Sequence, residues 1–158
     1  MYNQRIYYKV VAYEKMNRKL YSAFVHTQIT YQGFFKLRKL QVEYKIGQWV
    51  KPKVQGTKLC VFTNLDAARD YSISRSNPLI YTCYIRGKGV LPSAINTIHV
   101  ENSLIYCVKN LWERWENTNY RFKPYECAVS AEEVKLIKLI DATYAHVNIK
   151  IKKEIKHA

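Results

Sequence analysis

Basic and aromatic side chains are interleaved through residues 34–53, and this combination could bind nucleic acid. The candidate residues are Lys36, Arg38, Lys39, Lys45, Lys51, Lys53, Phe34 and Trp49. Lysine and arginine contact phosphates, and aromatic rings stack on bases. The alternative interpretation is a solvated basic face whose aromatic side chains belong to the hydrophobic core.

The positive charge of the chain is concentrated in the same part of the sequence. Residues 1–58 contain 12 Lys+Arg against two acids, Glu14 and Glu43, which gives +10 of the total +14. A field this uneven favours a negatively charged partner, and nucleic acid is the commonest one.

Other residue types that could perform chemistry have no informative spacing. Glu113 and Glu116 lie three residues apart and could hold Mg²⁺, although surface charges on an amphipathic helix are the simpler explanation. Gly87-Lys88-Gly89 could approach a phosphate but lacks the remainder of a P-loop. None of the histidines (His26, His99, His146 and His157) has a nucleophile or acid at catalytic spacing. We therefore predict no catalytic residues, no metal and no cofactor, and we lean towards a protein that is not an enzyme.

The four cysteines favour an intracellular protein without a zinc site. They stand at 60, 83, 107 and 127, with no C-x-x-C pair. Cys60 and Cys83 are expected to be small core residues of strands, with cross-strand disulfides left open. The start of the sequence lacks a signal-peptide apolar run, and no stretch is long enough to span a membrane. We expect a reducing, cytoplasmic setting and no membrane partner.

The first 50 residues read as strands. Residues 5–13 and 19–26 predict a hairpin, with Lys9, Arg18 and Lys19 on its solvent side or at its tip. Residues 41–49 return to a strand pattern in which Gly47 turns the chain.

Residues 58–86 give the clearest local prediction. A buried strand over 58–62 precedes Asn64, a good N-cap for a helix over 65–72. A second strand follows over 79–85 and is closed by Gly87 and Gly89. The block predicts a βαβ-like unit.

The rest of the chain is predicted less uniformly. Leu104, Val108, Leu111 and Trp115 recur at helical spacing, so we expect a helix from 102 or 103 to 115. Residues 125–129 read as a short strand. Residues 130–133 match a capping box, which favours a helix over residues 131–140. The same residues also fit a strand, and we favour the strand. Residues 147–152 read as an edge strand.

The predicted fold class is therefore α+β. We expect a single domain over 1–158, with a largely antiparallel twisted sheet and about two helices packed on it. Residues 150–158 are interpreted as a basic tail.

Strand and packing motifs carry a resemblance to known proteins. Tyr44-Lys45-Ile46-Gly47-Gln48-Trp49, Lys58-Leu59-Cys60-Val61-Phe62 and Ile80-Tyr81-Thr82-Cys83 resemble small uncharacterised proteins encoded by phages and large DNA viruses. The resemblance implies a fold and a viral setting, and it brings no catalytic residues with it. Relative to those proteins, residues 34–40 read as an insertion. A fainter likeness, through Phe62 to Ala67 and Ile80 to Ile85, is to ADP-ribosyltransferase-type folds. The chain lacks the His-Tyr pair, the Ser-Thr-Ser strand and the Glu-x-Glu of those enzymes.

Together these observations predict a small basic protein of viral type that binds nucleic acid through its N-terminal third. Two alternatives stay open. One is a virion structural or host-interaction protein, with a protein partner or self-association. The other is an enzyme of nuclease or ADP-ribosyltransferase type. The expected location is the host cytoplasm or the virion.

Overall fold

The computed structural model describes residues 4–23, 42–53, 58–73, 75, 77–89 and 127–145. These residues form eight strands and one helix. In chain order they are β1 Tyr7–Glu14, β2 Lys19–Ser22, β3 Glu43–Tyr44, β4 Trp49–Val50, β5 Leu59–Phe62, α1 Leu65–Ser72, β6 Pro78–Arg86, β7 Ala128–Ala131 and β8 Glu133–Asp141.

Strand β1 lies in the middle of the sheet, and apolar side chains cover both of its faces. Tyr7, Val11 and Tyr13 pack in one hydrophobic cluster, whereas Val10 and Ala12 pack in a second. Successive side chains of a strand point to opposite faces, so a run that is apolar at nearly every position must be covered on both sides.

The strands pair antiparallel and form a closed circuit. Strand β6 pairs with β1, β1 with β5, and β5 with β7. After Glu132 the chain continues from β7 into β8, which pairs back with β6. An antiparallel bridge between Gly89 and Ser130 closes the ring, because it joins the end of β6 to β7. The short strand β4 extends the ring beside β8, and β2 followed by β3 extends it from β1.

The circuit separates two cores. The interior cluster lies on the face of the sheet that contains Val61, Tyr81, Cys83, Val134 and Leu136, all fully buried. The helix cluster lies on the opposite face, where Ala68 and Tyr71 of α1 pack against the sheet.

Helix α1 begins where the sequence predicts. The Asn64 side chain accepts hydrogen bonds from the backbone amides of Asp66 and Ala67, at 2.7 and 3.3 Å. Strands β5 and β6 both run antiparallel to β1 and meet it on opposite sides at Tyr8. Strands β5 and β6 are therefore parallel to each other, with β1 between them. The predicted βαβ-like unit is thus a split βαβ unit, because its two strands are not direct neighbours.

Most of the predicted sheet is confirmed. The described residues form a mainly antiparallel sheet with one helix, and 133–141 is a strand as favoured. Residues 41–49 form two short strands in place of one, because Gly47 turns the chain with φ +79°. The helix predicted at 102–115, the insertion at 34–40 and the strand at 147–152 lie outside the described residues.

One prediction about the hairpin is wrong. Lys9 does not lie on the solvent side; it is only 4% exposed and shares the interior face of β1 with Tyr7 and Val11. Its side chain has a partner there, since the Lys9 ammonium donates to the carbonyl oxygen of Cys60 at 2.7 Å. Within the described residues, no helix is long and apolar enough to cross a membrane.

We predict that Asn64→Ala destabilises the protein by about 1 kcal/mol, because two amides at the start of α1 lose their acceptor. Urea unfolding followed by circular dichroism measures this change. The matched control is Asp70→Ala on the exposed face of the same helix, which should change stability by less than about 0.5 kcal/mol. Equal effects of the two substitutions would contradict a capping role for Asn64.

A second prediction concerns Asp141, which joins β8 to α1. Burial alone would raise the pKa of Asp141, but hydrogen bonds from Thr143 and Arg69 outweigh it and hold the pKa below its ordinary value. A carboxyl whose pKa is lowered by folding stabilises the protein above its unfolded pKa of about 3.9, and that stability is lost as the pH falls through the folded pKa. Asp141→Asn should therefore flatten the acid limb of the stability profile.

Thermal unfolding between about pH 2 and pH 7 tests this expectation. The control is Asp66→Asn, since the Asp66 carboxylate also contacts Arg69 (3.5 Å) but is 86% exposed. An acid limb that is unchanged in Asp141→Asn would contradict the assignment.

Candidate nucleic-acid interface

An aromatic and basic surface lies on the outer face of strands β4, β8 and β6. We call it the Trp49 face; its residues are Trp49, Lys51, Tyr84, Arg86, Glu133 and Lys135. The opposite face of the same strands supplies Val134, Leu136 and Cys83 to the interior cluster. Strand alternation therefore directs the Trp49 face away from the core.

The strand register arranges the Trp49 face in two rows. Trp49 is opposite Lys135, which is opposite Tyr84, so this row crosses all three strands. In the next row Glu133 is opposite Arg86 on one side. On its other side lies Lys51, the residue that comes directly after β4. Residues directly opposite each other on neighbouring strands have adjacent side chains, so the six form one contiguous patch.

Cations surround the ring of Trp49. The Arg86 guanidinium carbon lies 3.9 Å from the centroid of the indole, and the Lys135 ammonium lies 5.6 Å from it. Both distances are within the range in which a cation is attracted by the ring quadrupole. Both contacts favour this position of the indole, which is only half-buried.

Glu133 orders the second row. Its carboxylate oxygens lie 3.4 Å from an Arg86 nitrogen and 3.5 Å from the Lys51 ammonium. The Arg86 and Lys51 side chains are 59% and 74% exposed, so these ion pairs add little stability but restrict where the cations point. The face contains three cations and one carboxylate, a net charge of +2.

The structure places four of the eight predicted binding residues. Trp49 and Lys51 belong to the Trp49 face. Lys45 is exposed in the turn between β3 and β4, and Lys53 is exposed just after β4. Lys36, Arg38, Lys39 and Phe34 lie outside the described residues.

The contributions of β6 and β8 to this surface were not predicted from the sequence. Tyr84, Arg86 and Lys135 come from parts of the chain that are almost neutral overall, so the distribution of charge does not single them out. Only the pairing of β8 with both β4 and β6 brings them beside Trp49. An alternation of polar and apolar residues over 133–136 was the one available signal.

The glycines of Gly87-Lys88-Gly89 serve packing. A Cβ at Gly87 would overlap the Glu132 side chain, and a Cβ at Gly89 would lie 2.7 Å from the Ser130 hydroxyl. The turn is therefore filled by protein side chains at the positions where a phosphate would need to approach a glycine.

Cys60 and Cys83 behave as packing residues, whereas Cys127 is exposed. Cys60, Cys83 and Cys127 are free thiols. Burial raises the pKa of Cys60 to about 11 and that of Cys83 to about 12, so neither is a reactive thiolate at neutral pH. No three His, Cys, Asp or Glu side chains cluster as metal ligands within residues 4–23, 42–53, 58–73, 75, 77–89 and 127–145.

No protein-family model matches the chain, and comparisons with curated proteins and with solved structures also give no match. The resemblance to viral and phage proteins therefore stays a prediction, and so does the likeness to ADP-ribosyltransferase-type folds.

Proposed function

We propose that the protein binds single-stranded nucleic acid through the Trp49 face. Trp49 and Tyr84 would stack on bases, and Lys51, Arg86 and Lys135 would contact phosphates. The observation that carries the proposal is the packing of Arg86 and Lys135 around one partly exposed indole. Stacking groups and cations alternating on an exposed sheet face are typical of proteins that bind single strands.

The proposal favours single strands over duplexes because of the aromatic residues. A duplex hides the faces of its bases inside the stack, so a flat patch could contact only its backbone. A single strand offers both phosphates and unstacked bases to Trp49 and Tyr84. The long-range field of a chain with net charge +14 would speed the encounter with either form.

The first prediction is that the protein binds a labelled oligonucleotide of about 12 nucleotides more tightly than the duplex of the same sequence. Affinity should fall linearly with salt on a double logarithmic plot. For three phosphate contacts the slope is about −2, which is roughly 20-fold between about 50 and about 200 mM KCl. Fluorescence anisotropy measures both quantities. Absence of binding at low salt, or affinity independent of salt, would contradict the proposal.

The second prediction separates stacking from charge. Trp49→Ala should weaken binding by about 5- to 150-fold, corresponding to ~1–3 kcal/mol of base stacking, and should leave the salt slope unchanged. Arg86→Ala should weaken binding and also reduce the slope by about 0.7, because one phosphate contact is lost.

Lys15→Ala is the matched control for Arg86→Ala. Lys15 is an exposed cation in the β1–β2 turn, remote from the Trp49 face in strand order. If Lys15→Ala weakens binding as much as Arg86→Ala does, binding depends on net charge and the Trp49 face is not the site. Circular dichroism of each variant establishes that the fold is retained.

A further inference from the structure

Lys9 is a buried amine in the interior cluster with no acidic partner. It is 4% exposed, and no carboxylate of the described residues forms an ion pair with it. Its ammonium donates one hydrogen bond, to the Cys60 carbonyl oxygen, and lies 5.5 Å from the centroid of the Tyr44 ring. A lysine ammonium has three N–H donors, and the described residues supply an acceptor for one of them.

Two tyrosine hydroxyls in the same cluster are buried as well. Tyr44 and Tyr81 are 2% and 0% exposed, and neither hydroxyl has a hydrogen-bond partner among the residues that the structure describes. Tyr81 is directly opposite Lys9 on β6. The Lys9 ammonium lies 5.5 Å from the centroid of the Tyr44 ring, so the amine and the Tyr44 side chain lie in one region. Buried polar groups in native proteins are almost always hydrogen-bonded, and several unsatisfied ones together indicate an absent ligand or water.

The amine lies beside an interruption in the sheet. Strand β5 pairs with β1 only at Tyr8, and from Val11 onwards β2 takes over that edge of β1. Between these points the described strands leave Lys9 and Val10 without a strand partner on that edge. The Lys9 side chain crosses this fork to reach Cys60 on β5.

We propose that the fork between β1, β2 and β5 binds one small oxyanion, such as inorganic phosphate or a short carboxylate, on the Lys9 amine and the Tyr44 hydroxyl. The anion would supply the countercharge that the described residues do not. Its oxygens would accept hydrogen bonds from the remaining Lys9 N–H groups and from the Tyr44 hydroxyl. Chloride and water fit less well, because an oxyanion offers several acceptor oxygens at once. This inference does not depend on nucleic-acid binding, since the site lies on the opposite side of the sheet from the Trp49 face.

Thermal unfolding of the full chain in sodium phosphate, against sodium chloride at the same ionic strength, tests the proposal. We expect phosphate to raise the unfolding midpoint in a saturable manner beyond the effect of chloride. Lys9→Met should abolish this difference. Tyr44→Phe should raise the half-saturating phosphate concentration about tenfold, because one hydrogen bond to the anion is lost. Lys15→Met controls for binding of anions to exposed lysines and should retain the full effect.

Direct observation of Lys9 keeps the test decisive if Lys9→Met does not fold. In wild-type protein labelled with ¹³C at the lysine ε-carbon, the Lys9 resonance should shift with phosphate along the same saturation curve as the midpoint. Equal stabilisation by phosphate and chloride would overturn the proposal. A phosphate effect that persists in Lys9→Met, or a Lys9 resonance that does not move, would also overturn it.

Discussion

The structure depends on the burial of strand β1 on both faces. Its side chains alternate between the interior cluster and the helix cluster, and both clusters are needed to remove them from water. Both edges of β1 are paired as well, with β6 along one edge and β2 and β5 along the other. Strand β1 therefore links the two ends of the closed circuit and is covered on both faces.

The same circuit determines which surfaces are available for binding. Helix α1 covers the outer face where β1, β5 and β6 meet, through Ala68 and Tyr71. Further along β6, at the start of β8 and on β4, no element in the described part of the chain covers the outer face. The residues of the Trp49 face lie there and are aromatic or charged, as expected for a surface that meets water or a partner. Trp49 is therefore accessible because α1 does not extend over this part of the sheet.

Local features were predictable from sequence, and contacts between distant residues were not. Asn64 and the helix after it follow from backbone hydrogen bonding within a few residues. The burial of Lys9 was not predictable, because a lysine among apolar residues of a strand ordinarily points to solvent; here the Cys60 carbonyl, 51 residues away, accepts its hydrogen bond. Likewise Arg86 and Trp49 meet only because β8 pairs with both of their strands.

Chemical-shift mapping can locate the nucleic-acid site on the protein. In ¹H–¹⁵N spectra of the protein titrated with an unlabelled single strand, we expect the Trp49 indole N–H and the amides of Lys51, Tyr84, Arg86 and Lys135 to shift together and saturate. The amides of the β1–β2 turn should stay in place. Shifts confined to that turn, or spread evenly over all exposed lysines, would contradict a binding site on the Trp49 face.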